Sequence, residues 1–260
     1  MIKVGISGAM GRMGVQLVRL VQADAELKLA AAVERADCPG IGRDVGLEQG
    51  AGALGVKLTA EPPADIDVLI DFSTPEGSGR QLDFCAAHGI ALVLGTTGIE
   101  SLKGKLAEAG KKIPVLASPN MSVGVNLVFK IAAEIARSLG VDYDIEIVEA
   151  HHKFKKDAPS GTALKIAEEI AAATGRSLAT DAVYGRYGKP LERRQGEIGI
   201  HAVRCGDIVG DHTVMFVTQG ERIELKHMAH SRETFARGAL RAAKFIAGKR
   251  PGLYTMADIL

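Results

Sequence analysis

The sequence predicts an α/β protein: an N-terminal doubly wound parallel sheet plus a smaller α+β domain with an open mixed sheet. Three observations predict it. Short apolar runs alternate with helix-like segments over roughly the first 120 residues. A glycine-rich turn joins the first strand to the first helix, so strand, turn, helix and strand follow within 34 residues. Near the other end, three strand-like segments succeed one another with no helix between them, which implies antiparallel or mixed pairing.

The elements follow in order. Residues 2–7 are a short β-prone run. After the turn, Met13, Leu17, Leu20 and Val21 recur on one helical face, and residues 27–33 read as the second strand. Residues 38–63 are glycine-rich and irregular, and no element is assigned there. An apolar strand over 67–72 leads to a helix over 76–88, stopped by Gly89. A strand over 90–94, a helix over 100–111 and a strand over 113–117 continue the alternation. A long apolar helix spans 123–139, and residues 144–150 alternate polar and apolar as a half-buried strand does. A basic loop precedes a helix over 161–173. Strands over 197–204, 211–218 and 222–227 are separated by turn signals, and a last helix covers 232–247. Residues 1–122 therefore form one domain and 123–231 a second, with 232–260 packing back onto the first.

Composition narrows the function. The 260 residues hold 32 Lys and Arg against 31 Asp and Glu, and 47% are hydrophobic, which excludes a disordered chain. A net charge of +1 argues against a nucleic-acid partner. No apolar run approaches the roughly 18 residues of a spanning helix, so no membrane partner is expected. The apolar start is too short for a secretory signal. Cys38, Cys85 and Cys205 are far apart and in no CxxC pair, as expected of reduced thiols in a cytoplasmic protein.

Chemistry begins at Gly8-Ala9-Met10-Gly11-Arg12-Met13-Gly14. Glycines let a pyrophosphate approach a helix N-terminus closely, and Arg12 can add a charge-assisted contact. The spacing is GxxGxxG rather than GxGxxG, because Met10 stands where the strict fingerprint has glycine. Glu34 ends the second strand 20 residues after Gly14, where a Rossmann-type domain places an acid on the adenosine ribose. Arg35 can hold a 2′-phosphate, so NADH and NADPH both remain open. Gly95-Thr96-Thr97-Gly98 and Ser118-Pro119-Asn120-Met121 each follow a parallel strand, at the edge where such sheets bind ligands. Their small and hydroxyl residues suit a nicotinamide ribose and carboxamide.

The most informative stretch runs from Glu149 to Leu164, EAHHKFKKDAPSGTAL. Ser160, Gly161 and Thr162 open a helix there. Free backbone N–H groups and hydroxyls at a helix start form an anion pocket, and the preceding lysines supply counter-charge. A histidine that titrates near neutrality and a lysine within a cationic cluster are both credible proton donors. A small substrate bearing carboxylates fits. No metal is expected, because adjacent His151 and His152 on a strand face opposite sides. His201, His212, His227 and His230 are read as structural or exposed.

These residues together resemble the dihydrodipicolinate reductase family, nearly from end to end. The carrying segments are the glycine turn, Gly95-Thr-Thr-Gly98, Asn120-Met-Ser-Val-Gly-Val-Asn126, the Glu149–Leu164 stretch, Ala202 to Thr213, and Ser231-Arg-Glu-Thr-Phe235. The resemblance implies NADH- or NADPH-dependent reduction of a cyclic imine dicarboxylate in lysine and diaminopimelate synthesis. It implies that His151 donates or accepts a proton and that Lys155 donates one. His152, Gly161 and Thr162 would hold substrate; residues 8–13, Glu34, 95–97 and 118–121 would hold the dinucleotide; Arg35 would meet a 2′-phosphate. It implies a homotetramer built through the second domain's sheet. Met10 replaces a common glycine, and Met121 stands in place of an aromatic beside the nicotinamide. Two other readings share the layout: an amino-acid dehydrogenase of the aspartate type, and a dinucleotide sensor without catalysis.

Overall fold

Strand β1 (Ile2–Ser7) runs into α1 (Arg12–Gln22) and back through β2 (Leu27–Val33), with β1 and β2 parallel. The computed structural model describes residues 1–188 and 192–260. These divide into two compact units, Met1–Val123 with Glu233–Leu260, and Gly124–Arg232.

The first unit continues with α2 (Val45–Glu48), β3 (Leu58–Thr59), β4 (Val68–Asp71), α3 (Pro75–His88), β5 (Ala91–Leu94), α4 (Lys103–Gly110) and β6 (Pro114–Ala117). Its seven strands are all parallel, in the order β12-β6-β5-β4-β1-β2-β3, the last-formed strand β12 being Gly252–Tyr254. The order reverses beside β1, which lies between β2 and β4. That reversal is the switch point where doubly wound sheets bind ligands. Both faces are covered. Val68 and Ile70 of β4 face one core with Leu17 and Val21 of α1, while Leu69 faces another with Leu82 and Leu92. Period-2 alternation thus divides one strand between two cores. Local signals set the ends of α3: Thr74 accepts from Gly77 N, Pro75 opens the helix, and Gly89 ends it at φ 71°.

The second unit holds α5 (Val123–Leu139, from its second residue), β7 (Asp144–His151), α6 (Gly161–Thr174), α7 (Leu178–Asp181), β8 (Ala182–Tyr184), β9 (Ile198–Arg204), β10 (Gly210–Thr218) and β11 (Glu221–Ala229). The sheet order is β11-β10-β7-β9-β8, antiparallel from β11 to β7 and parallel from β7 to β8. Val128, Phe129 and Ala132 of α5, with Ile166 and Ile170 of α6, cover one sheet face at Ile145, Ile147, Val214 and Phe216. Burying each such side chain contributes about 1.5–3 kcal/mol. Helix α8 (Glu233–Ile246) then returns to the first unit, where Ala236, Ala239 and Ala243 join the core of α1.

The structure departs from the sequence expectation at short elements. Residues 38–63 do hold order: Asp44 caps α2 through Gly46 N and Leu47 N, and also accepts from Leu54 N and Gly55 N. The helix expected over 100–111 splits into a 3-10 turn, Glu100–Leu102, and α4. Strands β3, β8 and β12 have two or three residues, too few to show a period. No helix among the described residues is long and apolar enough to cross a membrane.

Candidate active site

In the second unit, β7 sets the site by simple alternation. Its buried positions are Ile145, Ile147, Glu149 and His151. The first two complete the core, and the next two carry the same inward face into chemistry. Glu149 is fully buried and His151 is 8% exposed.

Glu149 is saturated. Its Oε2 accepts from His151 Nδ1 at 2.6 Å and Arg204 Nη1 at 2.8 Å. Its Oε1 accepts from Arg204 Nη2 at 2.7 Å and Ser160 N at 2.9 Å. Four donors match the four acceptor positions of a carboxylate. Burial alone would raise its pKa, but the hydrogen bonds from Arg204, His151 and Ser160 N outweigh burial and hold it low. Nδ1 of His151 therefore carries a proton, and Nε2 is the basic nitrogen. Burial pushes the His151 pKa down, Glu149 opposes this, and Lys155 and Arg204 add to the lowering. Desolvation thus favours the neutral ring.

Nε2 of His151 faces Gly210. A Cβ built at that glycine would stand 3.0 Å from Nε2. His212 packs edge-on against His151 with ring centroids 5.3 Å apart, and burial pushes its pKa down to about 3.

In the basic loop one lysine has an acidic partner. Lys155 Nζ pairs with Asp157, 2.9 Å from Oδ1 and 2.8 Å from Oδ2. Nδ1 of His152 is buried, with no hydrogen-bond partner among the described residues. Ser160 is the N-cap of α6, its Oγ accepting from Ala163 N at 3.2 Å and lying 3.2 Å from His212 Nε2. Its hydroxyl thus joins the helix start to the histidine. Gly161 is exposed, and a Cβ there would meet no atom within 4 Å. Packing does not demand that glycine, and the space beside its Cα is open. Thr162 is half-buried in the same turn.

In the first unit, the expected dinucleotide residues gather at the carboxyl ends of β1, β2, β5 and β6. Gly8 takes φ +76°, a left-handed conformation suited to glycine, and a Cβ at Gly14 would overlap the Gly8 carbonyl. No side chain caps α1 at Gly11, so its N-terminal amides are open to an anion. A cavity of about 780 Å³ is lined by Ser7, Gly8, Gly11, Glu34, Arg35 and Thr74, among others. These features fit a dinucleotide. Arg12 is exposed beside the turn, and Arg35 lies 3.5 Å from Asp37.

Several side chains there face inward instead. Ala9 is in the core, Met10 and Met13 pack against it, and Met121 is 2% exposed within it. The Met121 side chain is thus no substitute for an aromatic beside a nicotinamide. Gly95 admits the Phe72 ring, which a Cβ would overlap. Thr96 Oγ1 donates to Asp71 Oδ2 at 3.2 Å and accepts from Ser73 N, whereas Thr97 is exposed. Ser118 Oγ donates to the Asn120 carbonyl at 2.8 Å, Asn120 Oδ1 accepts from Ser122 N, and Pro119 is exposed.

Glu149, Arg204 and His212 are site residues that the sequence alone does not assign. The signal for Arg204 and His212 is sheet register: His151 lies opposite Arg204 on β9, and Glu149 opposite His212 on β10.

A glycine-turn parallel sheet in one unit and a buried acid–base cluster in the other define a two-domain nicotinamide-dinucleotide oxidoreductase. Family models described as "Dihydrodipicolinate reductase, N-terminus" and "Dihydrodipicolinate reductase, C-terminus" match residues 2–121 and 124–260. The chain belongs to the dihydrodipicolinate reductase family. A 4-hydroxy-tetrahydrodipicolinate reductase of Anaeromyxobacter dehalogenans (strain 2CP-1) is 53% identical, over 100% of this chain and 98% of that protein. The enzyme of the same name from Hahella chejuensis is 50% identical, over 100% and 99%. A solved structure of dipicolinate-bound dihydrodipicolinate reductase from Paenisporosarcina sp. TG-14 matches with TM-score 0.80 at 25% identity, covering 100% of both chains.

Proposed function

We propose that this chain reduces 4-hydroxy-tetrahydrodipicolinate to tetrahydrodipicolinate, with loss of water, in lysine and diaminopimelate synthesis. The observation that carries the reading is the buried Glu149–His151 pair, with Lys155 close enough to act on His151, tied through Ser160 N to the start of α6. The substrate's carboxylates lie against the N–H groups of Gly161 and Thr162, with His152 Nδ1 as a further contact. NADH or NADPH, when bound, supplies the hydride. Residues 8–13, Glu34, 95–97 and 118–121 hold the dinucleotide, mostly through backbone, and Arg35 meets a 2′-phosphate when there is one.

The proton balance assigns the remaining roles. Loss of the 4-hydroxyl as water takes one proton from the neighbouring ring carbon and places one on the leaving oxygen. Reduction adds one hydride and one proton. Neutral His151, with its free Nε2 lone pair, suits proton acceptance. Lys155 delivers the proton that follows the hydride. General acid–base catalysis of this kind contributes roughly 10²–10⁴-fold.

The dicarboxylate of the Paenisporosarcina structure supports the substrate class. Assembly is a homotetramer through the second unit's sheet. Met228, Asp211, Ala150 and Val203 form one row across β11, β10, β7 and β9, and Val203 and Met228 are 42% and 46% exposed, which supports a partner surface. The reaction is cytoplasmic, a reading supported by the free thiols Cys38, Cys85 and Cys205.

The test follows nicotinamide absorbance with freshly generated substrate, in wild type and Lys155→Ala. Oxidation that collapses in the variant, with dinucleotide affinity retained, is expected. No oxidation in wild type despite tight dinucleotide binding would reject the substrate.

A further inference from the structure

We propose that Glu149 and Arg204 act as a charge-balanced pair of positioning residues for His151: the carboxylate fixes which ring nitrogen is free, and the bidentate arginine stops that carboxylate from charging the ring. The inference rests on the reading of His151 as a proton-transfer group and extends it to two side chains that need not touch substrate.

The geometry carries it. A lone buried carboxylate 2.6 Å from a histidine orients the ring but also favours the imidazolium. A charged imidazolium has no lone pair with which to accept a proton. Arg204 removes the conflict. Its two terminal nitrogens engage both oxygens of Glu149 at 2.7 and 2.8 Å, a fork geometry that lysine does not reproduce. The arginine is itself anchored, Nη1 donating to the Val203 carbonyl and Nη2 to the Asp157 carbonyl. Ser160 N ties the same carboxylate to the start of α6, so the helix that faces substrate and the ring that exchanges protons share one anchor.

Every charged or titratable group facing His151 agrees with this account. Glu149 is on its own strand, and Arg204 comes from β9. His212 comes from β10 and stays neutral, while Lys155 and its partner Asp157 come from the loop. Among the described residues Glu149 is the anion bonded to the ring, and Arg204 is its counter-ion. Nε2 is left facing the empty side of Gly210.

The experiment is ¹⁵N NMR of the histidines in the full-length protein without substrate, assigned by comparison with His151→Asn. Wild type, Glu149→Gln, Arg204→Met and Arg204→Lys are titrated between pH 5 and 8.5. Expected in wild type is a neutral His151 carrying its proton on Nδ1. Arg204→Met should raise its proton affinity at least tenfold; Arg204→Lys should raise it less. Glu149→Gln should admit the tautomer protonated on Nε2 and lower kcat more than it changes KM. A wild-type ring protonated on Nε2, or a His151 signal unmoved in both Glu149→Gln and Arg204→Lys, overturns the proposal even if Arg204→Met does not fold. Because these spectra need no substrate, a failure of the assigned reaction would leave them standing and be told apart from a failure of the pair.

Discussion

Glu34 Oε2 accepts a hydrogen bond from the backbone N–H of Met10 at 3.1 Å, so the acid that ends β2 and the turn that follows β1 are held as one piece. A ribose hydroxyl reaching Glu34 and a pyrophosphate reaching the turn would then report on the same contact.

Removing that carboxylate should weaken dinucleotide binding. Glu34→Ala is expected to raise the Kd for NADH about tenfold, near 1.4 kcal/mol. NADPH should suffer less if Arg35 meets its 2′-phosphate as proposed. Fluorescence titration with both dinucleotides measures this. Unchanged affinity for both would remove Glu34 from the site.

Gly210 should matter for the space it leaves. Its φ is not left-handed, so alanine carries no backbone penalty, yet the added Cβ would stand 3.0 Å from His151 Nε2. Gly210→Ala is expected to lower kcat at least tenfold while the far-ultraviolet dichroism and the NADH affinity stay as in wild type. Full activity in that variant would show that Nε2 does not need the opening.

Stability should fall in acid through Glu197. Hydrogen bonds from Arg194 and Arg186 pull its pKa from 4.5 down to about 2. The unfolded carboxyl takes up a proton near 4.5 and the folded one resists until about 2. The contribution is therefore complete above pH ~4.5 and is lost as the pH falls towards 2. Glu197→Gln should melt below wild type at pH 7, and the gap in Tm should close as the pH is lowered. A gap constant with pH would assign the loss to packing.

The three cysteines should differ in reactivity. Burial, helped by Asp71, pushes the Cys85 thiol up to about 12, whereas Cys205 is exposed. Iodoacetamide at pH 8 should label Cys205 in the native protein and Cys85 only after unfolding, because the thiolate is the reacting form. Peptide mass spectrometry reads the outcome, and rapid native labelling of Cys85 would contradict the buried site.

Much of this was legible in the chain because the signals are local. The alternation in Asp144-Ile-Glu-Ile-Val-Glu-Ala150 announces β7, and Ser160 followed by Gly161 announces the start of α6. What stayed hidden is of two kinds. Strands of two or three residues, such as β3, have no period to detect. The partners of Glu149 come from far along the chain: Arg204 lies 55 residues on and meets it only through the register of β7 with β9. His212, read as structural, reaches the cluster through the same kind of pairing on β10. The inward-turned Met121 and Thr96 show the converse, loops placed as expected whose side chains serve the fold.

The return of the chain to its first unit has a consequence for biosynthesis. The core around α1 includes Ala236, Ala239, Ile246 and Met256, and the sheet ends on β12. As the ribosome emits the protein from its N-terminus, the first unit lacks the α8 and β12 part of its core until the final segment emerges. The inserted half, Gly124–Arg232, is finished earlier and draws its apolar contacts from within itself. The half made first is the last to be completed.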